Sequence, residues 1–150
     1  AEFNIWLDPE AAATVFMSGV PITMAGLHLT HEFQASPERI AMVEHSHATL
    51  GPLLAGLLRF FSGTYVNRHF GFVGAAMHDV CSVLALTHPR LFTTSQKWVG
   101  VDLHGNHTRG MTVIDDRQLV NRPNANTTML ETIDADAGFA AIVEAVRACP

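Results

Sequence analysis

The chain has 150 residues, of which 48% are apolar and 15% charged, and this composition excludes a disordered or collagen-like protein. The formal net charge is −5 and Lys97 is the only lysine, which excludes nucleic-acid binding through a basic face. We expect no membrane span, because the most apolar run, residues 50–61, contains Arg59 and falls short of the ~20 residues that cross a bilayer. We also expect no signal peptide, because Glu2, Asn4 and Asp8 interrupt any apolar stretch at the start of the sequence.

The first part of the chain is predicted to be mainly helical. Asp8 and Pro9 suit the cap and first turn of a helix, which Gly19 ends. The apolar run 21–27 has the length of a strand buried on both faces, as in a parallel sheet. Ser36, followed by proline and glutamate, marks the start of a second helix.

The middle of the chain continues with helices around a glycine-containing segment. A third helix is predicted over 50–61, where leucine and phenylalanine recur at helical spacing. Residues 62–76 include Gly63, Gly71 and Gly74 and are predicted to form a loop. A short helix is then predicted over 79–86, before a proline.

The last third of the chain changes to strand patterns. Residues 97–116 show two alternating runs around Gly105 and Asn106, which predicts an antiparallel hairpin with a short or longer loop. A further strand is predicted over 127–134, and a final helix begins at Ala135. With no repeat and no linker, residues 1–150 are predicted to form a single domain with a mixed α/β fold.

Two short segments contain residue types suited to a reaction site. Glu2 and Asn4 flank an aromatic residue, although taken alone such a tetrapeptide indicates a frayed polar terminus. His78 and Asp79 stand where a glycine-containing segment enters a helix. Taken alone, that pair indicates a helix cap at Asp79 beside an incidental histidine.

Other histidines and aspartates are compatible with a metal site only by spacing. The histidines form close pairs at 28/31, 45/47 and 104/107, which are spacings that zinc sites use. A zinc site also needs further ligands in an organised pattern, and no H-E-x-x-H motif occurs, so a zinc enzyme is the least supported interpretation. Asp115 and Asp116 follow a predicted strand and indicate a solvated turn rather than a metal site.

Taken together, four segments resemble one family. AEFNIWLDPEAAATVF, GFVGAAMHDVCSVLAL, VDLHGNHTRGMTVID and TIDADAGFAAIVEAV have the order and spacing of the inosine–uridine-preferring nucleoside N-ribohydrolases. The likeness covers essentially the whole chain but only the C-terminal half of a family member. It implies the C-terminal half of an open α/β fold, with a mixed sheet, flanking helices and a C-terminal antiparallel strand pair.

The resemblance also implies an activity and roles for individual residues. The family hydrolyses the N-glycosidic bond of ribonucleosides with the help of calcium. By matching position, Glu2 and Asn4 would hold ribose hydroxyls, and Asp79 would be a calcium ligand that also touches the sugar. His78 would lie beside the leaving base and protonate it, as histidine chemistry allows. Phe70 would lie near the base.

The sequence also departs from the family pattern. The clustered aspartates D-x-D-x-x-x-D-D, which supply most calcium ligands and the general base in the family, are absent. The resemblance implies calcium in the intact enzyme. Because calcium takes about six to eight oxygen ligands, we expect these 150 residues alone neither to bind calcium tightly nor to hydrolyse nucleosides. Phe70 replaces a tyrosine that relatives often have near the base, and Tyr65 could compensate for the lost hydroxyl.

Two functional hypotheses follow. The first is one part of a cytoplasmic hydrolase acting on ribonucleosides, whose catalytic half is removed or encoded separately. The second is a truncated, non-catalytic remnant that acts as a folding or oligomerisation module. Under either hypothesis we expect a homo-oligomer or a partner N-terminal half, since losing the first strands would expose a sheet edge and apolar helices. The cytoplasmic location is expected because two cysteines, Cys81 and Cys149, are too few for a disulfide framework.

Overall fold

The computed structural model describes residues 1–66, 71–117, 121 and 123–150. The helices within them are α1 (Phe3–Leu7), α2 (Pro9–Phe16), α3 (Leu27–Thr30), α4 (Pro37–Glu44), α5 (Leu50–Val66), α6 (His78–Thr87) and α7 (Ala135–Arg147). The strands are β1 (Thr23–Met24), β2 (Gln34–Ala35), β3 (Ala75–Ala76), β4 (Phe92–Lys97), β5 (Val99–Val101), β6 (Thr112–Ile114) and β7 (Thr127–Ile133). A 3₁₀ turn, Pro89–Leu91, connects α6 to β4.

The chain divides into two compact units. The first comprises residues 1–26 and 94–130, and the second comprises residues 27–93 and 131–150. Over the described residues the strands form a three-stranded sheet in the order β1–β7–β4 and two separate pairs, β2–β3 and β5–β6. The prediction of a single domain over residues 1–150 stays a prediction.

The first unit has a small apolar core between helices and strands. Buried Phe16, Val99 and Met129 form its centre, and partly buried apolar residues pack around them. Strand β1 pairs parallel with β7, so that Met24 lies opposite Met129, and β5 pairs antiparallel with β6. The predicted helix start is confirmed, because the Asp8 carboxylate accepts a hydrogen bond from the backbone of Ala11 at 2.9 Å.

The second unit is built mainly from helices around a phenylalanine pair. Phe33 and Phe139 are buried, and their rings meet edge to face at 4.9 Å. As predicted, Ser36 caps α4, and α7 begins at Ala135 with the Asp134 carboxylate as its cap. The mixed α/β fold with its antiparallel strand pair is confirmed.

Two predicted elements were wrong in extent. The run 21–27 forms only the two-residue strand β1, with Thr23 exposed, and Leu27 already begins α3. A short apolar run is ambiguous between strand and helix, and the ring nitrogen of Pro21 cannot donate to a strand ladder. The predicted loop 62–76 is also partly regular, since it contains the end of α5 and all of β3.

The end of α5 is held in place through Ser62. This side chain is buried, and its hydroxyl accepts a hydrogen bond from the backbone of Ala75 in β3 at 3.0 Å. Gly74 precedes that strand, and a Cβ there would lie 1.9 Å from the carbonyl oxygen of Ala35. Only glycine therefore allows β3 to approach β2 this closely.

Helix α5 is the most apolar long helix in the described residues, so its length decides whether the expectation of no membrane span holds there. It spans 17 residues and includes Arg59, which pairs with Glu44. No helix in the described ranges is both long and apolar enough to cross a lipid bilayer.

Candidate functional site

His78 is positioned by a strand that passes directly into a helix. Strand β3 ends at Ala76, and His78 is the first residue of α6. Between them, the backbone of Met77 donates a hydrogen bond to the carbonyl of Phe33 at 2.9 Å. This bond extends the β2–β3 pairing by one step and fixes the direction in which α6 begins.

Both ring nitrogens of His78 lie within hydrogen-bonding distance of hydroxyl groups. Nδ1 is 2.8 Å from Oγ1 of Thr30, the last residue of α3, and Nε2 is 2.6 Å from Oη of Tyr65 in the last turn of α5. A hydroxyl can donate or accept, so the direction of each bond depends on which ring nitrogen is protonated. The two contacts together fix the plane and the rotation of the imidazole.

Aromatic rings surround this histidine. The His31 ring lies edge-on to His78 at 5.7 Å and to Phe72 at 5.1 Å, and the rings of Tyr65 and Phe72 are 5.6 Å apart. These separations are typical of favourable aromatic pairs. We call Thr30, His31, Tyr65, Phe72 and His78 the His78 cluster.

The His78 cluster keeps the phenol of Tyr65 in its protonated form. Burial raises the pKa of the Tyr65 hydroxyl above its ordinary value. A tyrosine is already protonated at neutral pH, and the raised pKa favours this form further, so the Tyr65 hydroxyl can donate its hydrogen to an acceptor such as a ring nitrogen. Tyr65 supplies a hydroxyl to this cluster, whereas Phe70, the residue predicted near the base, lies outside the described residues.

Asp79 stands in the first turn of α6, where a negative charge is favoured by the helix dipole. The side chain is exposed, and across the described part of the chain no hydrogen bond or ion pair engages its carboxylate. Met77 is the cap residue of α6 and no side chain caps the helix, so the interpretation of Asp79 as a cap is wrong. The carboxylate is available to a ligand.

One carboxylate fits a calcium ion as a hard oxygen ligand but cannot hold it alone. Calcium takes six to eight oxygens, and the described residues contain no group of three or more His, Cys, Asp or Glu side chains that could hold a metal. A complete coordination shell around Asp79 therefore needs ligands beyond those described. The same finding gives the zinc interpretation no support.

Glu2 and Asn4 lie together in the other unit, at the start of α1. One carboxylate oxygen of Glu2 accepts from the backbone of Ile5 at 3.0 Å, and the other accepts from the Asn4 amide at 3.2 Å. The segment is therefore a capped helix and not the frayed terminus that the tetrapeptide alone indicates. A Cβ on Gly110 would lie 3.0 Å from Cα of Trp6, which shows how closely the 102–110 loop approaches α1.

Asp115 and Asp116, which follow β6, both form ion pairs. Asp115 pairs with Arg117 at 2.6 Å and Asp116 with Lys97 at 2.6 Å. These contacts agree with a polar turn after β6. A further pair in the first unit joins Arg109 to Glu10 at 2.8 Å and ties the 102–110 loop to α2.

Nothing in the sequence indicates two members of the His78 cluster, Thr30 and Phe72, since Thr30 is 48 positions from His78 and no motif links them. The sequence indicates His31 only as half of a possible zinc pair with His28, and not as a neighbour of His78. In the sequence Thr30 stands beside His31, and Phe72 stands six positions before His78, but neither arrangement is a recognised motif. They acquire meaning only when the fold brings α3, α5 and α6 together.

Comparison with known proteins identifies the family. The family described as "Inosine-uridine preferring nucleoside hydrolase" matches residues 1–140. The pyrimidine-specific ribonucleoside hydrolase RihA of Shewanella woodyi is 46% identical over 139 residues, which cover 93% of this chain and 44% of that protein. RihA of Klebsiella pneumoniae is 44% identical over 138 residues, which cover 91% of this chain and 44% of that protein.

Solved structures show the same fold. The purine-preferring ribonucleoside hydrolase from Gardnerella vaginalis superposes with a TM-score of 0.82 at 27% identity, covering 97% of this chain and 47% of that one. The plant nucleoside hydrolase PpNRh1 shares the fold with a TM-score of 0.85 at 24% identity, covering 99% of this chain and 48% of that one. The chain thus spans less than half the length of the relatives it matches. It belongs to the inosine-uridine preferring nucleoside hydrolase family.

Proposed function

We propose that the chain forms the base-protonating and ribose-binding part of an enzyme that hydrolyses ribonucleosides to ribose and free base. The observation that carries this proposal is the His78 ring held between the hydroxyls of Thr30 and Tyr65. A histidine oriented at both nitrogens and backed by a phenol is suited to deliver a proton to a leaving group.

In the proposed reaction the bond between C1′ of ribose and the base nitrogen breaks, and its electron pair passes to the base. Water adds its oxygen to C1′ and releases one proton. His78 in its doubly protonated form gives the proton on Nε2 to the leaving nitrogen, directly or through the Tyr65 hydroxyl, and the proton released by water restores the balance. General acid catalysis of this kind contributes ~10²–10⁴-fold to a rate.

Glu2 and Asn4 are proposed to bind the ribose hydroxyls. The transition state of glycosidic cleavage resembles an oxocarbenium ion, so a nearby carboxylate and fixed hydroxyl contacts stabilise it. The contact between Glu2 and Asn4 at 3.2 Å supports a joint role, because each orients the other.

Asp79 is proposed to supply one carboxylate to calcium, with the other ligands coming from outside the described residues. Calcium, when bound, would position the attacking water and favour its deprotonation. What supports Asp79 is its exposed carboxylate beside His78 at the first turn of α6.

We propose pyrimidine ribonucleosides as the preferred substrates. The relatives named as pyrimidine-specific are 44–46% identical to this chain, whereas the structure named as purine-preferring is 27% identical. Neither Tyr65 nor His78 distinguishes the base by itself, so this preference rests on the relatives. Uridine should therefore be hydrolysed with a higher kcat/KM than inosine.

The test uses the protein encoded by the complete reading frame that contains these residues. Ribose release and free base are measured with uridine, cytidine and inosine, with added calcium and with a chelator. We expect His78→Ala to lower kcat by about 10²- to 10⁴-fold, and Tyr65→Phe to lower it by about tenfold, as for the loss of one hydrogen bond. His107→Ala, which changes an exposed histidine in the 102–110 loop, should retain wild-type activity. Wild-type kcat in the His78 variant would remove the basis of the proposal.

The oligomerisation hypothesis is kept as a second candidate because of one exposed face of α5. Leu53, Leu57 and Phe60 are 58%, 57% and 80% exposed and follow one another at helical spacing. An apolar row of this kind suits a contact with another chain. Sedimentation velocity at several concentrations should show association that Leu57→Asp weakens, and a concentration-independent monomer would contradict it.

The proposed location is the cytoplasm. Cys81 is buried, Cys149 is exposed, and both are free thiols. Unpaired thiols agree with a reducing compartment. Fractionation of cells that produce the protein, with a periplasmic marker as reference, tests this proposal.

A further inference from the structure

Thr30 is placed to act on His78 without approaching the substrate itself. The residue is 2% exposed, and its Oγ1 lies 2.8 Å from Nδ1 of the histidine. Its own carbonyl accepts a hydrogen bond from the backbone of Phe33 at 3.2 Å, and the preceding Leu29 is fully buried. The hydroxyl therefore has a fixed position in the second unit.

The two hydroxyl partners of His78 differ in strength as donors. A neutral imidazole has one nitrogen that donates and one that accepts. A phenol is a stronger acid than an aliphatic hydroxyl, so it is the better donor of the two. The distances agree, because Oη of Tyr65 approaches Nε2 to 2.6 Å whereas Oγ1 of Thr30 stays at 2.8 Å from Nδ1.

We propose that Thr30 is a positioning residue that sets the tautomer of His78. Nδ1–H of the neutral ring donates to Thr30 Oγ1, and Nε2 is left bare to accept the hydrogen of the Tyr65 hydroxyl. Thr30 thereby directs the exchange of protons to the Nε2 side, where Tyr65 lies. The catalytic meaning of this arrangement rests on the proposed function, but the tautomer itself does not.

Removing the hydroxyl makes the opposite tautomer favourable. In Thr30→Val the shape is kept, but a methyl group replaces the hydroxyl that accepts from Nδ1–H, and losing this buried hydrogen bond makes the Nδ1–H tautomer costly. The ring then moves its hydrogen to Nε2, which donates to Tyr65 and no longer accepts from it. Thr30→Ser keeps the hydroxyl and should keep the original tautomer.

The experiment measures the ring nitrogens of His78 by NMR at alkaline pH in protein labelled with ¹⁵N-histidine. The His78 signals are assigned by their loss in His78→Asn. We expect Nε2 to be the unprotonated nitrogen in the wild type and in Thr30→Ser, and Nδ1 to be unprotonated in Thr30→Val. A protonated Nε2 in the wild type, or an unchanged pattern in Thr30→Val, overturns the proposal. Should Thr30→Val not fold, Thr30→Ala, which also lacks the hydroxyl, takes its place in the same comparison with Thr30→Ser.

A kinetic arm separates this proposal from the proposed function. With uridine, Thr30→Val should lower kcat by about 10- to 100-fold at nearly unchanged KM, and Thr30→Ser should recover most of the rate. A wild-type protein that hydrolyses no ribonucleoside would refute the proposed function, while the NMR result would still decide the tautomer. Equal loss of kcat in the serine and valine variants would refute the positioning role of the hydroxyl.

Discussion

Asn126 joins a helix to a strand in the first unit, and replacing it with alanine gives a direct measure of that connection. Its amide donates to the carbonyls of Phe16 at 3.0 Å and Val99 at 2.9 Å. Its side-chain oxygen accepts from the backbone of Val99 at 2.8 Å and from the Thr127 hydroxyl at 3.1 Å. One side chain thus satisfies three backbone groups beside the core.

The expected loss of stability depends on which of these groups are left buried without a hydrogen-bond partner. Val99 is fully buried, so in Asn126→Ala its N–H is left without an acceptor, and Thr127 loses a partner at 1% exposure. Each buried group left unsatisfied costs about 1–3 kcal/mol, and part of the cost is relieved by relaxation. We expect the free energy of unfolding to fall by about 2–4 kcal/mol, which corresponds to about 4–16 °C in Tm.

The assay is urea unfolding followed by far-ultraviolet circular dichroism, with thermal unfolding as a second measure. Asn124→Ala is the matched control, because Asn124 is exposed in the same segment and makes no contact of this kind within the described residues. Asn126→Asp places an acceptor-only carboxylate oxygen against the carbonyls of Phe16 and Val99, so it should destabilise the protein at least as much as Asn126→Ala. If Asn126→Ala stays within about 0.5 kcal/mol of the wild type, as surface changes do, the account of this connection is refuted.

Three further predictions concern packing, thiol reactivity and pH. In α5, a Cβ on Gly51 would lie 2.3 Å from the carbonyl oxygen of Glu44, whereas Gly56 has open space around it. Gly51→Ala should therefore destabilise the protein, while Gly56→Ala should stabilise it by about 0.5–1 kcal/mol in urea unfolding, and the reverse order would contradict the packing of α4 on α5. Burial raises the pKa of the Cys81 thiol to about 11, so a disulfide reagent at pH 8 should modify Cys149 alone in the native protein and both cysteines in urea. The pKa of Asp102 is lowered, first by the Thr108 hydroxyl and then by the backbone N–H groups of His104 and Gly105. A carboxylate with a lowered pKa stabilises the folded state at pH values above its pKa in the unfolded chain, and this stabilisation is lost as the pH falls through its pKa in the folded state. The Tm difference between wild type and Asp102→Ala should therefore be present at pH 7 and shrink in the acid range. A difference that stays constant with pH would show that the Asp102 charge plays no part.

The elements that were predictable from sequence are those whose signals are local. Asp8 and Ser36 each stand before a proline and a glutamate, and each caps the helix that follows. The hairpin around Gly105 was predicted because two alternating runs flank it, and the strands β5 and β6 pair there. In all three cases the residues that determine the element lie close to one another in the sequence.

The elements that were missed depend on contacts distant in sequence. Helix α5 continues past Gly63 because Ser62 is bonded to β3, and β3 exists because Gly74 lets it approach β2. Strand β4 is polar along much of its length, so periodicity did not reveal it, and its threonines pair with β7, as at Thr93 and Thr132. Tertiary pairing here overrides weak local preference.

The candidate site shows the same difference between residues with local sequence signals and residues placed by tertiary contacts. His78 and Asp79 were found through resemblance to a family, because a histidine and an aspartate at a helix start carry little information alone. Tyr65 was predicted only as a replacement for the hydroxyl missing at Phe70, and Thr30 was not predicted at all, since their contacts with His78 come from hydrogen bonds that the packing of helices creates. Sequence thus indicated which histidine to examine, and the structure supplies what holds it.

Glu2 shows how a structural contact and a proposed binding role can occupy the same side chain. Glu2 is the cap of α1. One of its carboxylate oxygens accepts a hydrogen bond from the backbone N–H of Ile5, and the other accepts one from the side-chain amide of Asn4. An ionised carboxylate offers about four acceptor positions, so two remain for ribose hydroxyls while the helix start stays intact. The cap fixes the carboxylate in advance, which lowers the entropic cost of binding a sugar. A capping contact at this residue therefore supports the proposed ribose site, because the helix supplies the rigidity that the site requires.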